Sequence, residues 1–230
     1  MRVGAIVIEY RYRGFTEEAV RSVLSQTVRP SCVLLTTGDD RQYDFKDVVV
    51  RRLSTESEGE RVADAVRACS DVDAYELIED DEVWAADDVE RALAWLSRGR
   101  VFYQSATRPP VFPFGGNVSN IVFTSGLDLT KVASYPTLVD VTLLLSAIEQ
   151  GFTYVFDPTP TVTRRIHSRN VSIYSGRWAL LRDSLLQRLP SDFPGGEARM
   201  LAEMYLKKDL GSMTPYQRAE VARLLSMPNA

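Results

Sequence analysis

The chain opens on an apolar run, Val3-Gly4-Ala5-Ile6-Val7-Ile8, that shows no alternation and ends at Glu9. A run without period-two alternation reads as a strand buried on both faces. Such a strand needs helices above and below it, and the next segments of the chain supply them. Thr16 is placed to cap a helix with Glu17 and Glu18 in its first turn, where the dipole favours acids. Its apolar positions are Ala19, Val20, Val23, Leu24 and Thr27, and Pro30 lies just beyond. Cys32 to Leu35 reads as a second strand and Asp47 to Val50 as a third. Val62, Ala65, Val66 and Cys69 give one helical face. Tyr75 to Ile78 is the next strand. Asp87 or Asp88 then caps a helix with Val89, Ala92, Leu93 and Leu96, before the strand Val101 to Ser105. Strands alternating with helices predict βαβ units and a mainly parallel sheet.

The middle changes character. Arg108 to Gly116 is a Pro/Gly-rich loop, and Val118 to Thr124 is strand-like. Val141, Leu144, Leu145 and Ile148 form a helical face that Gly151 ends. Phe152 to Phe156 and Thr161 to Ile166 read as two further strands. From about residue 175 the pattern is helical: Trp178, Leu181, Leu185 and Leu189 keep the spacing, and Thr214-Pro215-Tyr216-Gln217 combines a capping box with Pro at the first helical position. The expected organisation is a main domain over 1–174 and a helical extension over 175–230, packed on or beside it.

Composition excludes several classes. With 45% hydrophobic and 25% charged residues over 230 positions, the chain carries enough apolar surface to fold. A net charge of -4 argues against a general nucleic-acid binder. Cys32 and Cys69 lie far apart with no CxxC, so buried free thiols are expected rather than a disulfide framework or zinc ribbon. The opening run is too short for a signal peptide, and no stretch reaches the ~20 apolar residues of a membrane helix. A cytoplasmic protein is expected, with peripheral membrane contact left open.

Two charge clusters point to chemistry. Residues 71–90 hold ten acids and no Lys or Arg, centred on Glu79-Asp80-Asp81-Glu82 directly after a buried strand. Ligands bind beyond the carboxyl ends of strands in such sheets, and crowded carboxylates there call for a divalent cation. The plainer alternative is a solvated acidic turn before a helix. Residues 158–182 hold Arg164, Arg165, Arg169, Arg177 and Arg182 with no acid, and His167, the single histidine, lies among them. Arginines suit phosphate oxygens. An exposed basic loop is the plainer alternative there.

The order of these motifs resembles family 2 glycosyltransferases. Val3 to Tyr10 followed by Ala19-Val20-Arg21-Ser22-Val23-Leu24-Ser25-Gln26-Thr27 is similar to that family's opening strand and its helix ending SVLSQT. Val33-Leu34-Leu35-Thr36-Thr37-Gly38-Asp39 resembles its second strand, and Leu77 to Trp84 its acidic metal motif. Asp140 ahead of Gly151-Phe152 is similar to its acceptor-side motif. Arg165-Ile166-His167-Ser168-Arg169-Asn170-Val171-Ser172 is similar to a late R-x-H-x-x-N-x-S. The likeness runs over about residues 3–172. Where the family has an Asp pair for the nucleobase, this chain has Thr36-Thr37; the first metal-motif Asp is Glu79; the acid before Asp140 is Val139.

The resemblance implies a GT-A-like α/β fold: a mixed, mostly parallel sheet between helices. It implies transfer of a sugar from a nucleoside diphosphate donor, UDP- or GDP-linked, to an acceptor hydroxyl on a glycan, lipid-linked molecule or protein, with inversion. Asp140 is implied as the base. Glu79, Asp81 and His167 are implied ligands of Mn²⁺ or Mg²⁺. Tyr10, Thr36, Thr37, Arg61, Asp80, Arg165 and Arg169 are the implied donor-binding set, and Phe112 and Phe114 the acceptor cleft. Asp140 also has a plain reading: with Thr137 as N-cap it is a capping acid at the third helical position. Trp84 reads as packing. Two other classes compete, a non-catalytic nucleotide-sugar-binding module and a metal-dependent nucleotidyltransferase; the latter normally carries a Gly-rich phosphate loop, and residues 9–16 hold only Gly14.

Overall fold

The apolar opening forms β1 (Val3–Glu9), every residue of it buried. The structure, a computed structural model, describes residues 1–9, 14–109, 118–165 and 176–207, the side chains of 176–179 excepted. After β1 come α1 (Thr16–Leu24), β2 (Cys32–Thr37), β3 (Val49–Arg52), α2 (Glu58–Ala68), β4 (Ala74–Glu79), β5 (Glu82–Trp84), α3 (Asp88–Leu96) and β6 (Val101–Arg108). A 3-10 turn (Val118–Asn120) leads into β7 (Ile121–Thr124), followed by α4 (Thr130–Ala133), α5 (Val139–Glu149), β8 (Thr153–Arg164), α6 (Gly176–Asp192) and α7 (Gly196–Lys207).

The sheet order is β3-β2-β1-β4-β7-β6-β8-β5. β1 pairs in parallel with β2 on one side and β4 on the other. β7 runs antiparallel between β4 and β6, and β5 antiparallel on β8. The chain moves outward from β1 to β3, then returns to the opposite side of β1 as β4. That reversal opens a crevice at the carboxyl ends of β1 and β4, where ligands bind in open α/β sheets.

Alternate residues of β1 face two cores. Ile6 and Ile8 join Leu34, Leu77 and the residues of α2, α4 and α5, whereas Ala5 and Val7 meet Ala19, Val20 and Val23 of α1. Leu185, Leu189 and Phe193 and, on α7, Ala198, Leu201 and Ala202 lie in the first of these cores. The C-terminal helices therefore share the sheet's main core. No helix among the described residues is long and apolar enough to cross a membrane.

Several local expectations are corrected. Phe152 to Phe156 and Thr161 to Ile166 belong, as far as they are described, to one strand, β8; register shifts against β6 accommodate Pro158 and Pro160 at a bulge, where Pro is tolerated. Residues 118–120 turn before β7 begins. The largest correction concerns the cysteines: Cys32 and Cys69 form a disulfide and are not free thiols. The parallel crossover brings the start of β2 beside the end of α2, which sequence spacing does not reveal. Gly4 lies under the bond; a Cβ there would stand 2.8 Å from Cys69 Sγ.

Candidate functional site

Three adjacent parallel strands end together. Ile8 is in register with Thr36 and Glu79, and Glu9 with Thr37. Glu9 is fully buried, an unusual end for an apolar strand. Thr16 Oγ1 donates to its carboxylate at 2.6 Å, and the Thr37 and Tyr43 hydroxyls donate to it as well. Burial, then the bond to Glu9, pushes the Tyr43 hydroxyl up. Thr16 thus does not cap α1: the N-cap is Phe15, with no side-chain bond, because the Thr16 hydroxyl is taken by a charged acceptor. Thr37 is turned toward Glu9 and also accepts from the Asp39 N–H at 2.9 Å. The Thr36 hydroxyl is buried with no hydrogen-bond partner among the described residues. Arg61 is buried too. It ties the β1 end to the loop before α2, donating to Glu9 O at 2.5 Å and to Thr55 O at 3.0 and 2.7 Å. Gly38 leaves room for this guanidinium, which any Cβ there would strike.

The acidic turn follows β4. The Asp80 N–H donates to Ile8 O at 3.0 Å, and the Glu79 N–H to Ser119 Oγ at 2.6 Å. These bonds fix the turn to β1 and to the 3-10 segment. One carboxylate oxygen from each of Glu79, Asp81 and Glu82 lies within 4.8 Å of the others. Asp80, Asp81 and Glu82 are buried and Glu79 is partly exposed. From β8, the Arg165 N–H donates to Asp81 O at 3.2 Å, and Arg164 Nε reaches Glu82 Oε1 at 2.9 Å. Oxygen-only carboxylates gathered this closely suit Mg²⁺ or Mn²⁺, since their mutual repulsion is relieved by a hard cation. Trp84 is packing: it is buried, with Nε1 donating to Ser119 O at 2.9 Å.

Asp140 stands at the start of α5. The N-cap is Leu138 in the left-handed region (φ 65°), not Thr137, so Asp140 is the second helical residue. The capping-box geometry is therefore absent. Oδ1 accepts from the Val141 N–H at 2.9 Å. The residue is half-buried, yet its carboxyl lies deep enough that burial pushes it up to about 7, against the opposing pull of backbone N–H groups and of Arg164. A carboxyl poised near neutrality suits proton transfer.

The structure thus brings Glu79, Asp80 and Asp81 to the ends of β1 and β2, with Thr36, Thr37 and Arg61 around them. Arg165 turns to α1: its guanidinium lies 4.2 Å over Phe15 and donates to Glu18 at 2.6 Å. Tyr10, His167, Arg169, Phe112 and Phe114 lie outside the described residues. Sequence reading missed Glu9 and Tyr43 as site residues, and it placed Glu82 and Arg164 in the two charge clusters without giving either an individual role. A charge closing an otherwise apolar strand was the available signal for Glu9; Tyr43 had none.

No protein-family model matches the chain, and no curated protein sequence does. Solved structures do match. A mannosyltransferase, PcManGT from Pyrobaculum calidifontis, in complex with GDP-Man and Mn²⁺, superposes with TM-score 0.65 at 14% identity, covering 97% of this chain and 73% of that one. Staphylococcus aureus TarS matches with TM-score 0.62 at 11% identity over 94% of this chain; the chain spans 44% of the length of TarS. A shorter TarS, residues 1–349 with UDP-GlcNAc, gives 0.62 at 12% identity, covering 96% and 79%. Glucosyl-3-phosphoglycerate synthase from Mycobacterium tuberculosis, with Mn²⁺, UDP and phosphoglyceric acid, gives 0.56 at 12%, covering 81% and 78%. At these identities the likeness establishes the fold: an α/β domain of GT-A type.

Proposed function

We propose that a chain with this GT-A fold is a glycosyltransferase of the family 2 kind, which moves a sugar from a nucleoside diphosphate donor to an acceptor hydroxyl with inversion. The observation that carries this reading is the convergence of two carboxylate groups on one cation. Arg164 pairs with Glu82 of the acidic turn and acts electrostatically on Asp140. In this reading a donor-side metal cluster and an acceptor-side base share the field of that one cation.

In this reading the nucleoside lies over the ends of β1 and β2. The Thr36 hydroxyl, buried and without a partner among the described residues, is a ready hydrogen-bonding group for it. Arg61 and Glu9 hold the floor rather than touching the ligand. Glu79 and Asp81 would hold Mn²⁺ or Mg²⁺, with Glu82 drawn back by Arg164. Bound there, the ion neutralises charge on the diphosphate. Asp140 accepts the proton of the attacking acceptor hydroxyl. The acceptor hydroxyl oxygen then bonds to the anomeric carbon as the diphosphate leaves from the opposite face. In this reading the start of α5, the helix on which α7 packs, borders the acceptor side.

The test is a thermal-shift panel of UDP, GDP and their sugars, with and without Mn²⁺, since a ligand of the folded state alone raises its melting point. Mn²⁺-dependent stabilisation by one nucleotide supports the reading; no stabilisation by any sinks it. A second reading, a binding module without transfer, is favoured by Thr37, whose hydroxyl is committed to Glu9 where the resembled family presents an acid. It predicts nucleotide-sugar binding and no turnover.

A further inference from the structure

Tyr205 lies on α7, one turn beyond Leu201 and Ala202, and so continues the face that those buried residues press into the core. The ring packs against that core. Its hydroxyl oxygen is buried and has no hydrogen-bond partner among the described residues. Buried hydroxyls are nearly always paired, and an exception asks for an explanation. α7 packs on α5. Burial first, then the charges of Asp140 at the start of α5 and of Tyr154 on β8, pushes the Tyr205 hydroxyl well up. Tyr154 already gives its own proton to Gln104 Oε1 at 2.8 Å. Asp140 accepts from Val141 through Oδ1, and Oδ2 is the natural acceptor for a further proton donor.

We propose that Tyr205 is a positioning residue for Asp140: in the loaded site its hydroxyl donates a hydrogen bond to the Asp140 carboxylate and holds it in the rotamer that faces the acceptor. The proposal rests on the reading of Asp140 as the base. Bonds of this kind are commonly long in a ligand-free site and tighten when substrate arrives. Tyr205 keeps its proton throughout; it orients and favours the ionised form, while the proton taken from the acceptor goes to Asp140. The groups that act on the Asp140 carboxyl are then the Val141 N–H and its own N–H on α5, Arg164 from β8 and Tyr205 from α7.

Tyr205→Phe removes the hydroxyl and keeps the ring. The Asp140 carboxyl is titrated by carbon-13 NMR in the full-length wild type and in Y205F, with D140N assigning the signal. Both titrations are run with diamagnetic Mg²⁺ and the nucleoside diphosphate that gave the shift in the thermal panel. The expected result is an upward move of the Asp140 midpoint by about half a pH unit or more, since a donor to the ionised form is lost. The acidic limb of donor hydrolysis moves up by the same amount, and the Mn²⁺-dependent thermal shift is unchanged. An unmoved midpoint with a still inactive D140N overturns the role of Tyr205 alone. Full turnover in D140N overturns the reading of Asp140 itself. A Y205F chain that fails to fold also overturns the proposal, because it makes the hydroxyl structural.

Discussion

Arg164 Nε stands 2.9 Å from Glu82 Oε1, and Glu82 is almost wholly buried while Arg164 keeps about a fifth of its side chain exposed. The same guanidinium favours the ionised form of Asp140. One positive charge thus serves the acidic turn and the start of α5. Arg164→Met takes its cation away from the buried Glu82 carboxylate, and removing one partner of a buried pair typically costs about 3–5 kcal/mol. Denaturant unfolding reads the loss, and the acidic limb of any turnover moves to higher pH because Asp140 loses its cation. Unaltered unfolding would show that the pair holds nothing together.

Asp140 separates function from fold. Its folded proton affinity, near 7, lies above the ordinary carboxyl range of about 4. The group therefore contributes stability that is complete below that range and is lost as pH rises through 7. Asp140→Asn fixes the neutral form. It should add on the order of 1–2 kcal/mol at pH 8, after allowance for residual exposure, and nothing at pH 4. Turnover should fall about 10²–10⁴-fold, the usual worth of a general base. A variant that loses stability at pH 8 and keeps its rate would return Asp140 to a helix-start acid.

The acidic turn predicts opposite responses to a chelator and to a metal. Glu79, Asp81 and Glu82 repel one another when no cation is present. Asp81→Asn should therefore melt higher than wild type in EDTA and gain nothing from Mn²⁺, whereas the wild type gains markedly. Equal Mn²⁺ shifts in the two proteins would remove Asp81 from the metal site.

A second carboxyl lies deep in the molecule, away from the site. Burial first, then the neighbouring Asp88, pushes Glu76 on β4 well above the ordinary range, and Asp88 is raised mainly by burial. The sign is that of Asp140: stability held below the ordinary carboxyl range drains as pH rises above it. Glu76→Gln should raise the melting temperature by a few degrees at pH 8 and lose that advantage toward pH 4. Thermal melts across pH measure it; a melting point that drops at every pH would mean that the charged form is needed.

The Cys32–Cys69 disulfide closes a span of 37 residues at the end of the strands remote from the acidic turn. Chain-entropy arguments give such a closure about 2–4 kcal/mol. The Cys32→Ser/Cys69→Ser double variant should lose stability on that scale and keep its nucleotide affinity. A thiol assay of the unfolded, unreduced wild type should find no free thiol.

Legibility in the sequence followed periodicity. β1 and α2 were readable because Val3 to Ile8 lacks alternation and Val62 to Cys69 keeps one helical face. The clustering of Glu79 with Asp81 was readable because near-consecutive acids directly after a buried strand share its carboxyl end. Residues that act across strands were not. Glu9 became a hub only when register set it beside Thr37 and a loop delivered Tyr43. Glu82 and Arg164 meet only because β5 pairs antiparallel with β8. The N-cap assigned to Thr137 failed because Leu138 adopts a left-handed backbone that local pattern does not announce. The disulfide was hidden for the same reason as these pairs: crossover geometry, not spacing, joins its halves.

The sheet order has a consequence for the sequence of events on the ribosome. β1 meets β2 soon after both emerge, but its other edge waits for β4, β4 waits for β7, and β6 waits for β8. Long-range pairings of this kind fold late and leave strand edges open meanwhile. α7 comes after all of them, and it seals the helix that carries Asp140. A nascent chain halted before Gly196 would already possess the ends of β1, β2 and β4 and the acidic turn, while Asp140 still lacked the helix that packs over its own. The acidic turn is thus translated well before the helix that closes over the start of α5.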